Sequence, residues 1–104
     1  MKPENLARSI RERENPRMAH NRHLKDRYGI TIEEYDLLVQ AQNGRCAICG
    51  TTNPGGRKVR FCVDHDHITG KIRGLLCSPC NRALGGFHDD PQLLRVAINY
   101  LIKE

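Results

Sequence analysis

Apolar side chains are spaced in three distinct ways along this chain, and the spacing predicts its elements. Residues 1–29 contain few of them: Leu6, Ile10, Met18, Leu24 and Tyr28 stand in a basic, polar background. Two polar helices are expected there, about 4–13 and 16–27. Asn15-Pro16 supplies the N-cap and first helical residue of the second, and Gly29 ends it. A disordered basic arm is the competing reading for the first dozen residues. From Thr31 the period becomes helical, with Tyr35, Leu38, Val39 and Gln42 on one face. Thr31-Ile32-Glu33-Glu34 forms a capping box in front of them, and Asn43-Gly44 stops this helix, about 32–42.

Further on, the period changes to two. Val59, Phe61 and Val63 alternate with Lys58, Arg60 and Cys62, which predicts a strand over 58–63. Ile68-Thr69-Gly70 reads as a turn and Lys71-Ile72-Arg73 as the start of a return strand, so the pair makes a β-hairpin. A short helix is expected from Asn81 to Leu84, broken by Gly85-Gly86. Asp90 then caps a final helix with Pro91 in its first position. Its stripe of Leu94, Ala97, Ile98 and Leu101, with Leu93 and Val96 beside it, is expected to complete the core rather than to form a dimer seam.

Composition narrows the picture. At 104 residues, with 38% hydrophobic and 5% aromatic residues and no Trp, the chain has room for one thin core that needs an additional staple. No apolar run approaches the roughly 18 residues of a membrane span, so no membrane partner is expected. Met1 to Asn15 is charged and has no apolar h-region, so it is not read as a secretory signal. A cytoplasmic setting is then the expectation, and structural disulfides are not. No internal repeat of solenoid length is present. The formal net charge is +5, and eight of the 17 Lys and Arg lie in residues 1–29. Such a balance favours a polyanionic partner.

The five cysteines supply the staple. Cys46-x2-Cys49 and Cys77-x2-Cys80 stand 27 residues apart, and two such turns present four thiolates to one centre. Zn²⁺ is the natural occupant, tetrahedral with four sulfurs at about 2.3 Å. An iron–sulfur centre fits the same spacing. A redox CxxC pair lacks its βαβ context. Cys62 is left over as an inert thiol. One Zn²⁺ on four thiolates carries −2, which lowers the formal +5 to about +3.

Between the two turns lies Asp64-His65-Asp66-His67, four polar groups too concentrated for a core. A solvated polar turn is the bland reading. The chemistry that suits the cluster is metal-assisted phosphodiester hydrolysis: a hard cation on carboxylate and amide oxygens, and a neutral imidazole to take a proton from water. Asp64 is the candidate carboxylate and His65 the candidate base. Asn81, next to Cys80, is the candidate second oxygen ligand, at a helix start where backbone amides favour an anion.

These residues carry a resemblance. Val63-Asp64-His65-Asp66-His67, then Gly70-Lys71-Ile72-Arg73-Gly74-Leu75-Leu76-Cys77, then Cys80-Asn81 closely resemble the recombination endonuclease VII family of HNH, or ββα-metal, nucleases. The similarity extends upstream through Tyr28 to Tyr35 and Gly44 to Gly50, and covers about residues 24–101. It implies a small α+β fold: a zinc-stapled ββα-metal core over 30–104, a basic helical extension over 1–29 and a C-terminal helix. It implies one structural Zn²⁺ on Cys46, Cys49, Cys77 and Cys80, a catalytic Mg²⁺ or Mn²⁺ on Asp64 and Asn81, His65 as general base, and His67 orienting phosphate or water. DNA is the implied partner, hydrolysed to a 5′ phosphate and 3′ hydroxyl, and a phage or prophage origin is implied too. General nicking or cutting of duplex DNA is expected ahead of junction resolution, and oligomeric state is open. Arg60, Lys71, Arg73, Arg82, Arg22 and Arg27 are expected to neutralise phosphates. The alternative is a non-catalytic zinc module that binds DNA, which leaves Asp64, His65 and Asn81 without a purpose.

Overall fold

The computed structural model describes residues 15–104. The helix expected over 4–13 lies outside the described residues. Among the described residues are four helices and one two-stranded sheet, a small α+β architecture. The chain divides into two compact units, the first ending at Gln40 and the second running from Ala41 to Glu104.

In the first unit, helix α1 (Pro16–Tyr28) begins as its sequence dictates. The Asn15 side chain accepts from the Arg17 amide at 2.8 Å, Pro16 occupies the first turn, and the Gly29 amide returns to the Lys25 carbonyl. Lys25 and Arg27 sit in the last turn, where cations suit the helix dipole. Helix α2 (Ile32–Ala41) opens on the expected capping box. The Glu34 amide donates to Thr31 Oγ1 at 3.1 Å, and the Thr31 amide donates to Glu34 Oε1 at 3.2 Å. Asn21 Oδ1 accepts from the Ile32 amide, and the His20 and Tyr35 rings meet edge to face with centroids 4.8 Å apart. Leu24, Ile30, Ile32 and Tyr35 are buried.

The second unit is built around an antiparallel hairpin of β1 (Cys62–His65) and β2 (Ile72–Leu76). The expected strand over 58–63 starts four residues late. Its pairing explains why: Cys62 stands opposite Leu76, and Cys77 already leaves the sheet to cap the next helix. Residues before Cys62 therefore have no strand to pair with, and Val59 is 80% exposed. The return strand is longer than its expected start, because the apolar Leu75 and Leu76 belong to it and are buried.

Helix α3 (Ser78–Gly86) packs on β1. It starts three residues before the expected Asn81 and runs through Gly85-Gly86, which were expected to break it. Pro79 lies in its first turn, and the Phe87 amide closes its end. The loop before the hairpin docks against this start. The Ser78 amide donates to the Pro54 carbonyl at 2.7 Å, and a Cβ on Gly55 would come within 2.6 Å of Pro79 Cδ, so only glycine fits at that left-handed position.

Helix α4 (Pro91–Ile102) is capped as expected, Asp90 Oδ1 accepting from the Gln92 amide at 2.9 Å. Its apolar stripe does not complete the core. Leu94 and Ala97 are half-buried, and Val96, Ile98 and Leu101 are exposed. The core lies elsewhere. Cys46, Leu76 and Cys77 form its buried centre, with Phe61, Cys80 and Leu84 against them, so the cysteines themselves occupy the place a larger domain fills with hydrocarbon.

Candidate functional site

The first knuckle is shaped by its backbone. The Gly50 amide donates to the Cys46 carbonyl, the Cys46 amide donates to Thr51, and the Ile48 amide points at Cys46 Sγ at 3.5 Å. The second knuckle is the start of α3, with Cys77 as its N-cap and Cys80 in its first turn. Together they bring the sulfurs of Cys46, Cys49, Cys77 and Cys80 within 4.8 Å of one another. A tetrahedron with Zn–S bonds of about 2.3 Å has edges of about 3.8 Å. The Cys49–Cys77 sulfur separation is 3.7 Å.

The electrostatics of this cluster suit a divalent metal. Burial opposes ionisation of Cys46, but amide donation from Cys77, Cys49 and Ile48 outweighs it and draws the thiol down to about 6. Burial and the neighbouring sulfurs push Cys80 up to about 12. Backbone dipoles thus favour the Cys46 thiolate, and Cys77 and Cys80 resist adding a second charge beside it. A divalent cation removes that conflict. The four cysteines form a site able to hold a structural metal such as zinc, and Cys62 is outside the group.

The polar cluster is shaped by an irregularity in the hairpin. Asp64 stands opposite Gly74, but His65 stands opposite Ile72, so Arg73 is an extra residue on β2. Such a bulge re-aims side chains near a strand end. Arg73 folds back on Asp64 with two hydrogen bonds, Nε to Oδ2 at 2.7 Å and Nη2 to Oδ1 at 2.9 Å. The Asp64 side chain is 12% exposed and that of Arg73 39%, and the two make a bidentate, charge-assisted pair.

The two histidines of the motif come together, with ring centroids 4.7 Å apart. His67 Nε2 also lies 3.0 Å from Asp89 Oδ2. Asp66 goes elsewhere. Its carboxylate accepts from the Ile68 and Thr69 amides at 2.8 and 3.0 Å and closes the hairpin turn. Donation from Thr69 and Ile68 holds its carboxyl below the usual aspartate range. Asn81 lies in α3, which packs on the strand bearing Asp64 and His65. It is not at the helix start as expected. Its amide donates to the Cys77 carbonyl at 3.0 Å, so that amide is not offered to an anion. Arg60, Lys71, Arg82, Arg22 and Arg27 are exposed. Arg73, expected to face phosphate, is engaged by Asp64 and Asp89.

Two contributors escape the sequence reading. The sequence puts Gln42 on a helix face and gives it no partner. Its amide straddles Leu75, accepting from the Leu75 N–H at 2.8 Å and donating to the Leu75 carbonyl at 3.0 Å, which closes the outer edge of β2. Asp89 carries no spacing signal of its own beside the capping Asp90. The signal available was the pair itself, since one acid suffices for a cap.

The fold and site define a small α+β domain with a four-cysteine cluster able to hold a structural metal, and an acid–imidazole cluster on the adjoining hairpin. The recombination endonuclease VII family profile matches residues 21–103, and the chain belongs to that family. It is 51% identical over 77 residues to the Gene 59 protein of Mycobacterium phage D29, covering 73% of this chain and 46% of that protein. It is 49% identical over 76 residues to the Gene 59 protein of Mycobacterium phage L5, covering 72% of this chain and 45% of that protein. The chain thus spans about half the length of these relatives. No solved structure matches it.

Proposed function

We propose that this chain is a metal-dependent DNA endonuclease of the HNH type that hydrolyses phosphodiester bonds. The observation that carries the reading is the placement of Asp64, His65 and His67 on a hairpin packed against the helix that bears Asn81, in a chain of the endonuclease VII family. Asp64 and Asn81 are the oxygen ligands for Mg²⁺ or Mn²⁺. Arg73 supports this fit, since both Asp64 oxygens already attract a cationic group. A cation held there supplies charge neutralisation for the phosphoryl and leaving 3′ oxygens.

His65 is the general base, taking a proton from the attacking water through a neutral imidazole nitrogen. His67, beside it, orients phosphate or water. The four cysteines hold a structural zinc that fixes the start of α3, and with it Asn81, relative to the hairpin. The exposed Arg60, Lys71 and Arg82 neutralise DNA phosphates, which makes binding steeply salt-dependent. In α1, Arg22 and Arg27 are exposed and serve as further phosphate-neutralising groups.

Incubation of supercoiled plasmid with the zinc-loaded protein and Mg²⁺ or Mn²⁺, beside His65→Ala, tests the proposal. Conversion to nicked or linear forms that disappears in His65→Ala, with zinc and fold retained, supports it. DNA binding without cleavage across metals is the outcome of a non-catalytic zinc module and overturns it.

A further inference from the structure

Asp89 is placed at backbone cost and used twice. It follows helix α3 in a turn where His88 and Asp89 both adopt left-handed backbone, at φ 57° and 55°. That region is uncommon for residues with a Cβ, although Asp and His adopt it more readily than most, and glycine is free to enter it. The turn is held by donation from the His88 amide to Gly85 and from the Asp89 amide to Leu84 at 2.8 Å. Helix capping does not explain the carboxylate, because Asp90 caps α4. The Asp89 side chain is 17% exposed, and one of its oxygens serves two groups. Oδ2 lies 3.0 Å from His67 Nε2 and accepts from Arg73 Nη2 at 3.2 Å. Arg73 in turn grips Asp64. A single carboxylate therefore ties the turn after α3 to the second histidine of the hairpin and, through Arg73, to the candidate metal-binding aspartate.

We infer that Asp89 is a positioning residue of the hydrolytic site, fixing the His67 imidazole and the Arg73 guanidinium through the same oxygen. The inference rests on the nuclease reading for its kinetic consequence, but not for its structural one. A carboxylate that accepts from Nε2–H sets the tautomer of an imidazole and leaves Nδ1 as the free acceptor. His67 then presents a defined nitrogen toward phosphate or water. The same carboxylate gives Arg73 a second anchor, so the guanidinium stays at the site when Asp64 turns to a cation.

Two substitutions separate position from folding. Asp89→Gly removes the carboxylate and relaxes the left-handed backbone, so the turn is not strained by the change. Asp89→Asn retains the size and an acceptor oxygen without the charge. With zinc content and Tm retained, Asp89→Gly is expected to lower kcat by about 10- to 100-fold, the usual cost of losing a supporting hydrogen bond behind a working group. Asp89→Asn is expected to recover part of that loss. The double variant with His67→Ala is expected to lose less than the product of the two single losses, because part of the effect of Asp89 passes through His67. Multiplicative losses in that cycle overturn the proposal. Nitrogen-15 spectra of the zinc-loaded protein without DNA decide the structural half. The Nε2–H form of His67 is expected to dominate in the native chain and to give way to mixed tautomers in Asp89→Gly. An unchanged His67 tautomer refutes the proposal even if cleavage falls. Absence of cleavage by the native chain refutes the nuclease reading, and the tautomer measurement still decides the role of Asp89.

Discussion

Replacing Gln42 is expected to cost more than its half-buried position suggests. Leu75 is 1% exposed, and its N–H and C=O point away from β1 toward the Gln42 amide. In Gln42→Ala the Leu75 N–H loses its 2.8 Å acceptor. An unpaired buried donor costs about 1–3 kcal/mol. The Leu75 carbonyl still accepts from the Ala47 amide at 3.1 Å, so its loss of Gln42 Nε2 is milder. The Arg45 carbonyl loses a 2.7 Å donor but is exposed to water. The sum is a destabilisation of about 2–4 kcal/mol. Gln42→Glu restores the acceptor for the Leu75 N–H but sets a carboxylate oxygen against two carbonyls, and is expected to be no better. Urea unfolding at a fixed free zinc concentration measures the change, since metal binding otherwise shifts the apparent stability. A loss under about 0.5 kcal/mol in Gln42→Ala contradicts the idea that this side chain closes the sheet edge.

Removing the metal, by chelation or by Cys77→Ser, is expected to unfold the second unit, because three of the four sulfur ligands belong to its core cluster; circular dichroism that keeps its native helix signal speaks against it. The Asp66 carboxyl is held low by the Thr69 and Ile68 amides, so its contribution is present above the ordinary aspartate range and lost as pH falls through its lowered folded value. The stability gap between the native chain and Asp66→Ala is therefore expected to narrow on acidification in zinc-saturated urea titrations; a gap that widens reverses the assignment. Arg73→Gln removes the group that competes for both Asp64 oxygens, and Mn²⁺ affinity by calorimetry is expected to rise roughly 10-fold, matching the ~1.5 kcal/mol of one charge-assisted hydrogen bond. Unchanged or weaker Mn²⁺ binding places the cation away from Asp64.

Local signals were the ones legible in the sequence. The Thr31–Glu34 box, the Asn15-Pro16 start, the Asp90 cap and the convergence of the four cysteines each depend on residues close in sequence or on paired turns, and each was found as expected. What escaped depends on partners far along the chain. The alternation over 58–63 is a sound strand pattern, but Cys77 leaves the sheet one residue beyond the partner of Cys62, so the ladder stops there. The stripe on α4 has sound amphipathic spacing, yet periodicity shows only that a face is apolar, and Val96, Ile98 and Leu101 are exposed. The bulge at Arg73, which turns a basic residue back on Asp64, leaves no mark in residue spacing. The same holds for Gln42 and Asp89, whose partners lie 33 and at least 16 residues away.

Single-turnover cleavage of an end-labelled DNA duplex by the zinc-loaded chain, in Mg²⁺ and in Mn²⁺, decides whether His65 serves as a hydrolytic base. His65→Ala is expected to slow cleavage by about 10²- to 10⁴-fold, the share a positioned general base contributes, with zinc content unchanged. Products with 5′ phosphate and 3′ hydroxyl ends are predicted. Cleavage that proceeds equally in His65→Ala, or a native chain that binds the duplex and leaves it intact in every divalent metal, contradicts the account.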